Sequence, residues 1–187
     1  MSKRILFLSG STRKDSYNTL LAKAACKIAS QKGIDAEFID LAEYPMPLFN
    51  QDIEAESGAP ETAKLLKEHF RNADGFFIAS PEYNSTITPI LKNTIDWLSR
   101  PYEKDEPRLV CFDNKAAAIC ATSPGGLGGL RALDPLRLLL SHINVNVVGQ
   151  QLAIPSAHEA FDANGDLKSE MHNAIMSSII DTLARIA

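Results

Sequence analysis

Four consecutive apolar residues, Phe76-Phe77-Ile78-Ala79, run directly into Ser80-Pro81-Glu82-Tyr83-Asn84-Ser85-Thr86. An unbroken apolar run of this kind reads as a strand buried on both faces, and such strands belong to parallel sheets covered by helices. The polar, proline-bearing segment that follows puts a rigid loop at the strand's carboxyl end. Thr88 then reads as the cap, and Pro89 as the first residue, of a helix. Open α/β sheets bind ligands at the carboxyl edge, so this loop is the first candidate for a site.

The rest of the chain supplies the partners such a strand requires. Arg4 to Ser9 reads as a central first strand, and Leu21, Ala25 and Ile28 repeat on a helix over roughly Asn18 to Lys32, stopped by Gly33. Ile34 to Leu41 is the second strand. Ala42 to Ala59, with Pro45, Pro47 and Gly58, reads as a long irregular segment. A helix from Pro60 turns Ala63, Leu66 and Phe70 inward. After the central strand, Leu91, Ile95 and Leu98 make one apolar stripe. Ile87, Ile90 and Trp97 make a second, which either widens the core-facing surface or meets another subunit.

Arg100 to Asn114 is a charged connection to the fourth strand, Ala116 to Ala121, which ends at Ser123-Pro124-Gly125-Gly126-Leu127-Gly128-Gly129. Leu133, Leu136 and Leu140 mark a fourth helix, with Asp134-Pro135 at its start or in its first turns. Val145 to Val148 is the fifth strand, and Gln150 to His158 a loop or strand extension. Met171, Ile175, Ile179 and Leu183 define the last helix. Five strands alternating with helices predict one α/β domain over 1–187, a doubly wound parallel sheet in three layers with strand order 2-1-3-4-5.

Composition narrows the class. With 187 residues, 45% of them hydrophobic, the chain can bury a substantial core. A net charge of -4 supplies no positive field for nucleic acid or an anionic membrane. Cys26, Cys111 and Cys120 lack any paired spacing and fit reduced thiols of a cytoplasmic protein, with Cys26 and Cys120 in the core. Lys3 and Arg4 precede an apolar run too short for a secretory leader, and no transmembrane stretch follows. His69, His142, His158 and His172 show no metal spacing.

In the predicted topology three loops meet: Gly10 to Asn18, Ser80 to Ser85 and Ser123 to Gly129. The first suits a phosphate, since Ser11, Thr12 and Ser16 offer hydroxyls, Arg13 a forked cation, and the following helix its unpaired N–H groups. The plainer reading is that Ser16 or Asn18 caps that helix. Gly125 and Gly126 either let the backbone approach a flat ligand or form an ordinary turn. Neither a G-x-x-x-x-G-K-[ST] loop nor a G-x-G-x-x-G fingerprint follows the first strand, which disfavours an ATPase and a dinucleotide-fold dehydrogenase.

Gly10-Ser11-Thr12-Arg13 with Ser16 and Asn18, Pro81-Glu82-Tyr83-Asn84-Ser85, Leu91-Lys92-Asn93 with Asp96-Trp97, and Ser123-Pro124-Gly125-Gly126 together resemble the flavodoxin-like NAD(P)H-dependent FMN reductases, which include quinone, chromate and azo-dye reductases. The resemblance spans nearly the whole chain. It implies that Ser11, Arg13, Ser16 and Asn18 hold the FMN phosphate and that Pro81, Glu82, Tyr83, Asn84 and Ser85 line the isoalloxazine ring. Ser123, Gly125 and Gly126 then meet the ring from the neighbouring loop, where backbone donors face the charge left by an arriving hydride. Glu82 touches the ligand or braces its loop, and Tyr83 touches it or packs over that loop. Lys92 pairs with Asp96 and, with Asn93, braces its helix.

The expected function is an FMN oxidoreductase that takes a hydride from NADPH or NADH and passes electrons to a quinone or similar small-molecule acceptor by a ping-pong scheme. No side chain is assigned catalysis, because the flavin carries it. A flavodoxin-like electron carrier without its own NAD(P)H turnover is the alternative. The resemblance and the second apolar stripe point to a homodimer or homotetramer, with no nucleic-acid or membrane partner.

Overall fold

The computed structural model describes residues 2–187. Its centre is a parallel sheet in which β1 (Arg4–Ser9) lies between β2 (Asp35–Ile39) and β3 (Gly75–Ala79), and β3 pairs with β4 (Ala116–Thr122). The outer position beside β4 is shared by β5 (Asn146–Val147) and β6 (Leu152–Ile154), giving the order β2-β1-β3-β4-β5 with β6 also on β4. This is the expected flavodoxin-like order. The fifth strand is nonetheless two pieces, because residues 148–151 stand opposite only Ala118 and Ile119. Arg137 compensates for the lost ladder, donating to Val148 O at 2.9 Å and to Gln151 Oε1 at 3.0 Å.

Strand alternation divides the core into two layers. Leu6, Leu8, Phe76, Ile78 and Ile119 face α3 (Glu61–Asn72), α4 (Pro89–Leu98) and α5 (Leu130–His142), whereas Ile5, Phe7, Phe77, Ala118 and Cys120 face α1 (Tyr17–Gln31) and α7 (Glu170–Ile186). Phe76 and Phe77, adjacent in sequence, therefore stack in opposite layers, on Phe70 at 4.9 Å and on Phe7 at 5.4 Å. Each fully buried ring of this size stabilises the fold by roughly 1.5–3 kcal/mol. Both faces of β3 are fully buried, the condition under which a strand can dispense with polar residues.

Several expectations are corrected by packing. The irregular segment after β2 contains a short helix, α2 (Gln51–Ser57), capped by the Asn50 side chain on Asp52 N. Of the two placements expected for Pro135, the second holds: α5 begins at Leu130 and Pro135 lies in its second turn. Met171 is 64% exposed, and the inward stripe of α7 begins at Met176 with Ile179, Ile180 and Leu183. Cys26 is half-buried, while Cys111 joins Cys120 in the interior. A further four-residue helix, α6 (Ala157–Ala160), follows β6.

The second stripe of α4 is settled within the chain. Trp97 is fully buried: its indole N–H donates to Pro47 O at 2.9 Å and its ring meets Phe49 edge-on at 5.0 Å. Asn93 donates to the same Pro47 carbonyl and accepts from Phe49 N at 2.7 Å, so it braces the segment after β2 rather than its own helix. Lys92 and Asp96 do pair along the helix, at 2.6 Å.

The Arg100 to Asn114 connection is anchored by a buried ion pair. Lys67 reaches from α3 to Glu106 at 2.6 Å, both side chains 3% exposed, and also donates to Arg100 O. Its ammonium lies 3.8 Å from the Tyr102 ring centre, a cation–π contact. Among the described residues, no helix is long and apolar enough to cross a membrane.

Candidate functional site

The carboxyl ends of β1, β3 and β4 open into a cleft of about 170 Å³. Ser11, Arg13, Ser16, Tyr17 and Asn18 line it from the first loop and helix, Pro81, Glu82 and Tyr83 from the second loop, and Thr122, Ser123 and Pro124 from the third. Asn84, Ser85, Gly125 and Gly126 are exposed and lie outside that lining.

The first loop is held by Thr88, whose hydroxyl donates to Gly10 O at 2.6 Å and accepts from Leu91 N as the cap of α4. A Cβ at Gly10 would stand 3.1 Å from that hydroxyl oxygen, a tight fit that glycine avoids. Ser16 occupies the cap position of α1, yet its side chain makes no capping hydrogen bond. The plainer reading of this serine therefore fails, and its hydroxyl is uncommitted beside the unpaired N–H groups of the first turn. Arg13 is exposed, with one side-chain bond, to Lys14 O at 3.0 Å. Ser9, at the end of β1, is buried with a hydroxyl that has no partner among the described residues. An uncapped helix, a free hydroxyl and an exposed cation on one loop form an anion cradle.

Asn18 is placed differently. It is 4% exposed, donating to Thr122 O at 2.9 Å and accepting from Thr122 N at 3.0 Å. Its amide binds the first loop to the third, which limits what it can offer a ligand.

The second loop turns back sharply. Tyr83 N donates to Thr86 O and Thr86 N to Tyr83 O, closing a two-residue turn in which Asn84 (φ 51°) and Ser85 (φ 66°) are both left-handed. Asn tolerates that region, and Ser does so less readily. Tyr83 is 51% exposed and lines the cleft. Glu82 is the bracing carboxylate: Arg131 Nε donates to it at 2.6 Å and Arg131 N at 3.2 Å.

The third loop's conformational demand falls on different glycines from the expected ones. Gly128 and Gly129 have φ of 61° and 85°, and a Cβ on Gly128 would meet the Ile154 backbone at 2.6 Å. Gly126 has nothing within 4 Å of such a Cβ, and Gly125 only Ser123 Oγ at 3.8 Å. The space beside that pair is open to a ligand.

Tyr17, Thr122 and Arg131 were not singled out by sequence, and Pro124 only as part of its motif. Tyr17 and Thr122 adjoin residues that were, whereas Arg131 has no local signal, lying 49 residues from Glu82. Burial pushes the Cys111 thiol up to about 11 and the Cys120 thiol up to about 12, so neither is a nucleophile at neutral pH. Within the cleft the only carboxylate among the lining residues is Glu82, already paired. The arrangement can bind and orient a ligand; it has no nucleophile and base of its own.

Comparison with known proteins agrees with that geometry. The family model described as NADPH-dependent FMN reductase matches residues 3–159. A 2-hydroxy-1,4-benzoquinone reductase from a Burkholderia species is 32% identical over 185 residues, 98% of this chain and 96% of that protein. An NAD(P)H-dependent FMN reductase of Pseudomonas aeruginosa is 34% identical over 181 residues, covering 96% and 92%. Among solved structures, a flavoenzyme NAD(P)H:(acceptor) oxidoreductase from Paracoccus denitrificans superposes with a TM-score of 0.82 at 30% identity, covering 98% of this chain and 96% of that one.

Proposed function

Because the chain belongs to the NADPH-dependent FMN reductase family, we propose that the three-loop cleft is its FMN site and that electron donor and acceptor use that cleft in turn. The protein is an NAD(P)H-dependent oxidoreductase of small-molecule acceptors such as quinones. When bound, FMN supplies the hydride acceptance and electron delivery, which accords with a cleft that has no nucleophile of its own.

The observation that carries the site assignment is the uncapped start of α1. Ser16 with its free hydroxyl, Ser11, exposed Arg13 and the first-turn N–H groups would hold the phosphate. Pro81, Glu82, Tyr83, Asn84 and Ser85 would border the ring on one side and Ser123, Gly125 and Gly126 on the other. Asn18 contributes by fixing the first loop to Thr122. No second crevice bearing a dinucleotide fingerprint accompanies this one in the sequence, so a single binding surface serves both substrates and the kinetics are ping-pong.

We also assign one domain over 1–187, a cytoplasmic location suited to three free thiols, and a homo-oligomer. With Trp97 buried, the apolar surface for a second copy is the groove between α4 and α5, where Leu138 is 73% exposed. Lys92 and Asp96 border the same groove, an opposite pair that a two-fold axis can match to its own copy.

The test is spectroscopic. Purified protein should show flavin absorbance that bleaches on anaerobic addition of NADPH or NADH and returns with quinone. A flavin that NAD(P)H leaves oxidised would mark a carrier instead.

A further inference from the structure

Glu82 is fixed by one residue, and that residue lies on another element. Its side chain is 10% exposed, and both oxygens are engaged by Arg131, one by the guanidinium and the other by the backbone N–H. Arg131 is the second residue of α5, so this N–H is one of the four that a helix leaves unpaired at its start. Glu82 thus caps α5 from 49 positions away in sequence, with its charge at the favourable end of the helix dipole.

The geometry gives this pair a particular leverage. Among the described residues, it is the only hydrogen-bonded link from the Pro81 to Thr86 turn to any other loop or helix; the turn's remaining bonds are Tyr83 with Thr86 and Ser80 Oγ to Pro81 O. The far side of the clamp is firm. Gly129, just before α5, packs so closely that a Cβ there would lie 2.9 Å from Ala121 Cβ and 3.9 Å from Glu82 Cβ. The start of α5 therefore packs directly against the end of β4, so whatever is tied to Arg131 is referred to the base of the third loop.

We infer that Arg131 is a positioning residue for the flavin ring: by holding Glu82 at the start of α5 it sets the separation between the second and third loops, the walls of the ring slot. The inference rests on the proposed FMN site. Arg131 acts at the ring end of the cleft, away from the phosphate cradle of Ser11, Arg13 and Ser16, so its removal weakens every flavin, with or without a phosphate. Its own side chain is 59% exposed, but that of Glu82 is only 10% exposed, so truncating Arg131 alone leaves a largely buried carboxylate with one backbone partner, and the variant that separates positioning from stability also neutralises Glu82.

The experiment titrates the full chain, stripped of flavin, with FMN and with riboflavin, and follows thermal unfolding without ligand. Arg131→Met should weaken both flavins by the same factor, roughly five- to tenfold, and Arg131→Met combined with Glu82→Gln, which leaves no unpaired carboxylate, should do so with an unfolding midpoint within about 2 °C of the wild type. Arg131→Lys should recover part of the affinity, since it restores the charge without the fork. Adding Glu82→Gln to Arg131→Met should cost no more than Arg131→Met alone, because the two residues act as a unit. Unchanged affinity in Arg131→Met overturns the inference; so does a loss confined to FMN, which would put Arg131 on the phosphate. A parallel drop in unfolding temperature in the double variant would reduce Arg131 to a structural role and likewise overturn it. Failure of the FMN site itself looks different: the wild type would then bind neither flavin.

Discussion

Asn18 and Thr122 exchange two hydrogen bonds across 104 residues of sequence, the side-chain amide of one matching both backbone groups of the other. The pair joins the start of α1 to the end of β4 inside a nearly solvent-free contact, and so fixes the first and third loops of the cleft against each other. Replacing Asn18 with Ala removes both partners from a buried peptide N–H and C=O. The expected loss is about 2 kcal/mol, read as a lower urea midpoint at unchanged slope, with weaker flavin binding alongside.

Arg13 is exposed and contributes little to the core. Arg13→Ala should leave unfolding nearly unchanged while lowering affinity for FMN about tenfold, through loss of a charge-assisted contact. Riboflavin binding should be untouched. Equal losses for the two flavins would show that Arg13 does not face the phosphate.

The Lys67 and Glu106 pair makes acid stability sensitive to one region. Burial alone would raise the Glu106 carboxyl, but the Lys67 hydrogen bond, the Tyr102 backbone N–H and the Lys67 and Arg71 charges outweigh it and hold the group below its ordinary value. A carboxyl depressed in the folded state stabilises the fold fully above its unfolded value, about 4.3, and loses that contribution as pH falls through the folded value. Lys67→Met should cost about 2 kcal/mol at neutral pH by removing a charged hydrogen bond from a buried carboxylate, which keeps only Arg71 and the Tyr102 backbone N–H. It should also flatten the pH dependence of stability below about pH 4. Denaturant titrations at several pH values check both.

Self-association is tested at Leu138. Its charge variant Leu138→Asp leaves the core intact, since the residue is 73% exposed, and should convert an oligomer to a monomer in sedimentation velocity. A wild-type monomer at every concentration would end the proposal. Ile90 is the poorer probe because it is half-buried against the core.

For the turnover scheme, double-reciprocal plots against NAD(P)H at several quinone concentrations should be parallel. Intersecting lines would mean that donor and acceptor occupy the protein together.

Much of this fold is written locally. The apolar run at Phe76 to Ala79 can only be satisfied between two helical layers, Thr88-Pro89 starts α4 by its own chemistry, and Gly33 ends α1 with φ 78°. Such signals depend on backbone geometry and burial within a few residues, so the strand order, the three loops and the resemblance to flavin reductases follow from the string of residues. What the tertiary structure decided are choices among partners. Trp97 could have faced another subunit until Pro47 and Phe49 closed over it. Ser16 could have capped its helix, and its hydroxyl does not. Glu82 could have pointed at a ligand, and Arg131 holds it. In each case a polar or amphipathic side chain has several ways to satisfy the same hydrogen bond or bury the same surface, and only long-range packing selects one.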